Sequence, residues 1–151
     1  MRPRYYLDTS VLGGYFDLEF QEDTRAFWEA LCAGRCAAVI SSLTLEELAR
    51  APAEVQELLG GLPDDGLETV AVTDEVEFLA DRYVSEGVVT ARFRGDALHV
   101  AAATMAGVKA IVSWNFKHLV NLRRIELFNG VNMLGGYRTI DIRTPREVIE
   151  P

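Results

Sequence analysis

Apolar positions along this chain fall into two alternating patterns: short unbroken runs, and stretches spaced for one face of a helix. Tyr5-Tyr-Leu7 is apolar and aromatic and runs into Asp8-Thr-Ser10 ahead of a glycine pair, which predicts a buried strand followed by a turn. Between Thr24 and Leu31 the period becomes helical, with Phe27, Trp28 and Leu31 on one face and Gly34 as the stop. Ala37-Ala-Val-Ile40 predicts a second buried strand, and Ser41-Ser-Leu-Thr44 a helix start before Glu46 and Glu47.

Pro52 opens a short helix that closes in the turn Gly60-Gly-Leu-Pro63 and Asp64-Asp-Gly66. Leu67 to Val72 alternates as a third strand. Thr73 or Asp74 then caps a helix with Val76, Phe78, Leu79 and Tyr83 expected to point inward. After a loop from Gly87 to Gly95, Asp96 opens a small-residue helix from Ala97 to Met105. Lys109 to Val112 is the fourth strand, Phe116 to about Met133 is mostly helical, and Arg138 to Arg143 is a short fifth strand after Gly135-Gly136. Strands alternating with helices require parallel pairing through crossovers, so the predicted fold is a three-layer α/β/α sandwich around a parallel sheet of about five strands.

Composition changes this picture little. The 151 residues are expected to make a single domain, 1–151, and no apolar run nears the roughly 20 residues that span a bilayer. The N-terminus lacks the apolar stretch of a signal peptide, so a cytoplasmic location without membrane attachment is expected. Cys32 and Cys36 have no partners at zinc-site spacing and are expected to be reduced core thiols. A net charge of −8, from 15 Lys and Arg against 23 Asp and Glu, argues against nonspecific coating of nucleic acid. It does not exclude a nuclease, because acid gathered at a metal site is neutralised by the metal.

The acids matter for where they fall. Asp8 ends strand one, Glu47 follows strand two, Asp96 opens the helix before strand four, and Asn115 follows Ile111-Val-Ser-Trp at the end of strand four. Taken alone, each acid reads more readily as structural: Asp8 as a turn residue, Glu46 and Glu47 as a solvated helix face, and Asp96 as an N-cap. In a parallel sheet, however, all strand C-termini share one edge, where ligands bind. Three carboxylates brought together there repel one another unless a divalent cation sits among them, and oxygen-only ligands select magnesium or manganese.

Tyr6-Leu-Asp-Thr-Ser-Val11, Leu43-Thr-Leu-Glu-Glu-Leu48, Gly95-Asp-Ala-Leu-His-Val-Ala101 and Ile111-Val-Ser-Trp-Asn115 together resemble the four signature segments of PIN-domain proteins, the fold of VapC-type toxin ribonucleases. The resemblance runs through the whole chain in the right order. It implies a metal site of Asp8, Glu47 and Asp96, with Thr9, Ser10 and Ser113 supporting it by hydrogen bonds. Glu47 is chosen over Glu46 because it stands directly before the leucine. Where the family usually carries a fourth acid, this chain has Asn115, as does a subset of bacterial and archaeal relatives; a catalytic role for Asn115 as a neutral ligand or water acceptor is implied.

The implied activity is Mg2+- or Mn2+-dependent hydrolysis of an RNA phosphodiester by the toxin of a type II toxin-antitoxin pair, with the antitoxin on a separate chain and a homodimer as the assembly. Arg94, Lys117 and His118, with Arg92, Arg123 and Arg124, are candidates for phosphate contacts, whereas His99 is expected to be packed or capped within its helix. Asn115 also leaves open a PIN-fold module that binds RNA or protein without cutting. An aspartyl-phosphate enzyme is disfavoured because Asp8 is followed by Thr9 and Ser10 rather than x-Asp. A dinucleotide site is disfavoured because Gly13-Gly14 is not a three-glycine turn.

Overall fold

Residues that alternate between two apolar faces make the sheet. A computed structural model of the protein describes residues 2–149. Its strands are β1 (Arg4–Leu7), β2 (Ala37–Ser41), β3 (Leu67–Val70), β4 (Ala110–Val112) and β5 (Ile142–Arg143), all paired in parallel in the order β3-β2-β1-β4-β5. Tyr6, Val39 and Ile111 point to one side, into a core with Leu79, Tyr83, Val100 and Phe128. Tyr5, Leu7, Ala38, Ile40 and Val112 point to the other, into a core with Leu12, Phe27 and Leu31. Both faces are covered by helices, as a parallel sheet requires, so the fold is the expected three-layer α/β/α sandwich.

The helices are α1 (Thr9–Gly14), α2 (Gln21–Cys32), α3 (Ser42–Leu48), α4 (Ala53–Gln56), α5 (Asp74–Ser85), α6 (Arg94–Ala106), α7 (Leu122–Leu134) and α8 (Pro145–Ile149). After β1 the chain winds towards β2 and β3; after β3 it crosses to β4 on the other side of β1. Strand order therefore reverses between β1 and β4. That is the switch point at which open α/β sheets place their crevice, and Asp8 and Ser113 follow these two strands directly.

Several local expectations are corrected. Asp8 is followed by the short helix α1 instead of a turn. Phe78 is 63% exposed, because Val76, Leu79, Ala80 and Tyr83 occupy the buried face of α5 and Phe78 lies opposite them. β3 stops at Val70, with Val72 N donating to Ser42 Oγ instead of continuing the ladder. The fifth strand shrinks to Ile142–Arg143, since the Asn129 side chain holds both the N–H and the C=O of Ile140.

Residues 116–119 form a turn, and α7 starts only at Leu122, capped by Asn121 Oδ1 on Arg124 N. α8 follows β5 and had no counterpart in the sequence reading. Both cysteines are free, but only Cys36 is buried, where burial pushes its thiol up; Cys32, the last residue of α2, is exposed. Among the described residues no helix is long and apolar enough to cross a membrane.

Candidate active site

Asp8 leaves β1 with its N–H bonded to Val112 O at 3.0 Å, so the two strands meeting at the switch point fix its backbone. Its side chain is 5% exposed. Ser10 Oγ donates to Asp8 Oδ2 at 2.6 Å and Ser113 Oγ donates to the same oxygen at 2.9 Å. These two hydroxyls, one from α1 and one from the end of β4, hold the carboxylate in one rotamer, and among the described residues Oδ1 makes no hydrogen bond.

Glu47 extends from α3. Thr9 Oγ1 donates to Glu47 Oε1 at 2.9 Å, and His99 Nε2 lies 2.5 Å from that same oxygen. Asp96 lies in the first turn of α6, and its Oδ2 pairs with His118 Nδ1 at 2.9 Å. Each of the three carboxylates therefore has one oxygen tethered by protein donors, while among the described residues the other makes no hydrogen bond to protein.

His99 stands at the centre of this edge. It is buried, with Nε2 on Glu47 and 3.9 Å from Asp8 Oδ1, and with Nδ1 2.7 Å from the Tyr6 hydroxyl. Tyr6 in turn lies 2.8 Å from Ser41 Oγ, and burial pushes its pKa up to about 12, which keeps the phenol protonated. Burial pulls the His99 pKa down, but the Glu47 hydrogen bond and the charges of Asp8, Glu47 and Asp96 outweigh it, and the net shift is upward. In Glu47 the balance runs the other way: burial pushes the carboxyl up, and the bonds from His99 and Thr9 bring it below its usual range. Asp96 is raised, by burial first and then by the charge of Asp8, against the His118 bond.

The remaining sites of the sequence reading are placed as follows. Asn115 lies beyond Ser113, whose hydroxyl accepts its N–H, and Asn115 Oδ1 accepts the N–H of His118 at 3.0 Å, so its side chain also shapes the turn that presents His118. Arg94 is engaged with Asp81 at 2.8 Å and points along α5. Arg124 bonds to Val88 O. Lys117 is exposed, and His118 is buried against the Phe93 ring. Glu46 is exposed away from the edge, lining a groove with Val72 and Glu77. Sequence reasoning missed the Tyr6–His99–Glu47 chain, although His99 follows Asp96 by three residues on a helix and so shares its face.

The fit to a divalent cation rests on this donor set. Among the described residues no three acidic, histidine or cysteine side chains stand close enough to close around one ion. A hard ion such as Mg2+ keeps several waters and needs only one or two carboxylates together with substrate phosphate. Asp8, Glu47 and Asp96 each offer hard carboxylate oxygens of the kind such an ion takes, and His99 stands between Glu47 and Asp8.

No family model matches the sequence, and no curated protein does. Solved structures do match. VapC20 of Mycobacterium tuberculosis, a toxin that cleaves the sarcin-ricin loop, superposes with a TM-score of 0.58 at 14% identity, over 91% of this chain and 98% of that one. A chain of a toxin-antitoxin complex from Klebsiella pneumoniae superposes with a TM-score of 0.55 at 18% identity, over 76% of this chain and 88% of that one. At these identities the likeness is one of fold: the five-stranded parallel sheet and its helices are the PIN-like fold of VapC toxins.

Proposed function

We propose that the chain is a metal-dependent endoribonuclease, the toxin of a toxin-antitoxin pair, that hydrolyses RNA phosphodiester bonds at the edge carrying Asp8, Glu47 and Asp96. The observation that carries this reading is the shared state of the three carboxylates: one oxygen of each is tethered and, among the described residues, the other makes no hydrogen bond to protein. Donors that fix carboxylate orientation from behind are the usual support of a metal site. The fold, shared with a toxin that cleaves the sarcin-ricin loop, agrees with it.

Magnesium or manganese bound at Asp8 and Asp96 would supply positive charge beside the phosphate and acidify an attacking water. The chain's own residues do the rest. Ser10 and Ser113 hold Asp8, His118 holds Asp96, and Thr9 and His99 hold Glu47. Asp96 or Asp8 would take the proton from that water. Asn115 shapes the turn carrying His118, and exposed Lys117 would meet a phosphate. A separate antitoxin chain and a homodimer belong to the same reading, the first supported by the toxin-antitoxin neighbour.

The test is cleavage of a labelled RNA by the purified protein in Mn2+, in chelator, and with Asp8→Asn. Cleavage lost in both controls is expected; cleavage persisting in chelator or in Asp8→Asn refutes the proposal. Asn115, one charge short of the family's four, favours the alternative of an RNA-binding module, for which RNA would be bound and never cut.

A further inference from the structure

Helix α3 is held at both of its ends by one chain of buried side chains. Ser41, the last residue of β2 and the N-cap of α3, has its hydroxyl 2.8 Å from the Tyr6 hydroxyl. That phenol oxygen lies 2.7 Å from His99 Nδ1, and His99 Nε2 lies 2.5 Å from Oε1 of Glu47, in the last turn of the same helix. The circuit thus leaves α3 at its N-cap, passes through β1 and α6, and returns to α3. Ser41, Tyr6 and His99 are all buried, with the tyrosine and histidine rings packed edge to face at 5.6 Å between centroids.

Proton counting gives this chain a fixed direction at one end and a choice at the other. A carboxylate only accepts, so Nε2 carries a hydrogen and donates it to Glu47. A phenol both donates and accepts, so Tyr6 can pair Nδ1 of a neutral or a charged ring, with Ser41 Oγ taking the complementary role. The same Nε2 has a second acceptor close by: Asp8 Oδ1 stands 3.9 Å away and, among the described residues, makes no hydrogen bond. A small swing of the imidazole would carry its N–H from Glu47 to Asp8. Such a swing also draws Nδ1 off the Tyr6 hydroxyl and leaves buried polar atoms unpaired, so the phenol opposes it.

We propose that Tyr6 is a positioning residue: through His99 it directs the Nε2–H onto Glu47 and away from Asp8, so that Glu47 stays oriented and Asp8 Oδ1 stays free for a cation. This rests on the nuclease reading for what the carboxylates hold, and it adds to that site a residue that acts through another.

The experiment compares wild type, Tyr6→Phe, His99→Gln and the double variant. Phenylalanine keeps the buried ring and removes the hydroxyl, whereas glutamine keeps an N–H donor for Glu47 that needs no tyrosine. Calorimetric titration with Mn2+ is expected to show about 10-fold weaker binding in Tyr6→Phe, as is common for partners behind metal ligands, and no further loss when Tyr6→Phe is added to His99→Gln. A loss of the same size in both backgrounds overturns the proposal, because Tyr6 then acts without His99; so does unchanged affinity in Tyr6→Phe. The chain has two histidines, so isotope labelling of histidine nitrogen in the metal-free protein follows the His99 ring directly. A solvent-protected Nε2–H resonance is expected in wild type, displaced or broadened in Tyr6→Phe; its absence from wild type overturns the proposal without any variant. Cleavage of RNA in Mn2+, assayed in parallel, reports on the nuclease reading separately. A wild type that binds Mn2+ in this pattern yet cuts no RNA refutes the nuclease alone, and one that cuts while Tyr6→Phe binds Mn2+ equally well refutes the positioning role alone.

Discussion

Gly13 and Gly14 are adjacent in α1, and replacing each by alanine should have opposite effects. Neither has a positive φ, so neither replacement strains the backbone. At both positions alanine gains about 0.5–1 kcal/mol of helix propensity and unfolded-state entropy. A Cβ at Gly13 meets nothing within 4 Å, whereas at Gly14 it stands 2.8 Å from Trp114 Cδ1 and Nε1 and 3.0 Å from Thr24 Oγ1. The indole cannot yield easily, being bonded to Thr24 and stacked on Phe20. Overpacking of this kind costs about 1–3 kcal/mol. Because the helix term cancels between the two variants, Gly14→Ala should be less stable than Gly13→Ala by about 2 kcal/mol, or roughly 4–8 °C in Tm for a chain of this size. Urea and thermal unfolding would read the difference, and the emission of Trp114 should shift only in Gly14→Ala. Two variants within about 0.5 kcal/mol of each other, below the overpacking range, would refute the placement of Trp114 against Gly14.

Other outcomes follow from the acid edge. Asp96→Asn should abolish cleavage yet melt at the same temperature as wild type or higher in metal-free buffer, since the raised pKa of Asp96 marks a charge that burial and Asp8 disfavour; a large loss of Tm would show that its role is structural. Asn115→Asp keeps the acceptor for the His118 N–H and adds a charge worth on the order of 1 kcal/mol to a nearby cation, so calorimetry with Mn2+ should show tighter binding; unchanged affinity would put Asn115 away from the ion.

His99→Gln tests the central histidine. His99 has a raised pKa, so its contribution is fully present below the unfolded value near 6.5 and is lost as pH rises through the folded value; Glu47 has a lowered one, so its contribution fades as pH falls through its folded value. The stability gap between wild type and variant should therefore be widest at about pH 5–6.5 and shrink towards pH 9. It should not exceed about 2 kcal/mol, because the Glu47 side chain is 40% exposed. A gap constant from pH 5 to 9 would contradict the charged pairing.

What the sequence disclosed and what it hid divide along physical lines. β1, β2 and β4 are buried on both faces, so their apolar runs stand out, and Asp8 at the end of β1 could be placed on the edge that the strand ends share. Boundaries that depend on single side-chain bonds were not legible: Asn129 removing Ile140 from the sheet, Ser42 ending β3, and Asn121 delaying α7. Phe78 was misassigned because an apolar residue was counted without its helical phase. Within the candidate site, strand ends and the family resemblance pointed to Asp8, Glu47 and Asp96, but apart from Ser10 their partners come from distant segments. His118 on Asp96, His99 between Glu47 and Tyr6, and Gly14 beneath Trp114 are consequences of the fold, and no local pattern announces them.

The proposed chemistry depends on a divalent ion bound at the switch point, and anomalous diffraction from crystals of the protein soaked in Mn2+ would locate it. A manganese peak bonded to Asp8 and Asp96, weakened or lost in Asp96→Asn crystals, is the expected result. Density without a peak at that edge, with His99 and His118 still bound to Glu47 and Asp96 at saturating Mn2+, would contradict a metal-dependent nuclease built on these three carboxylates.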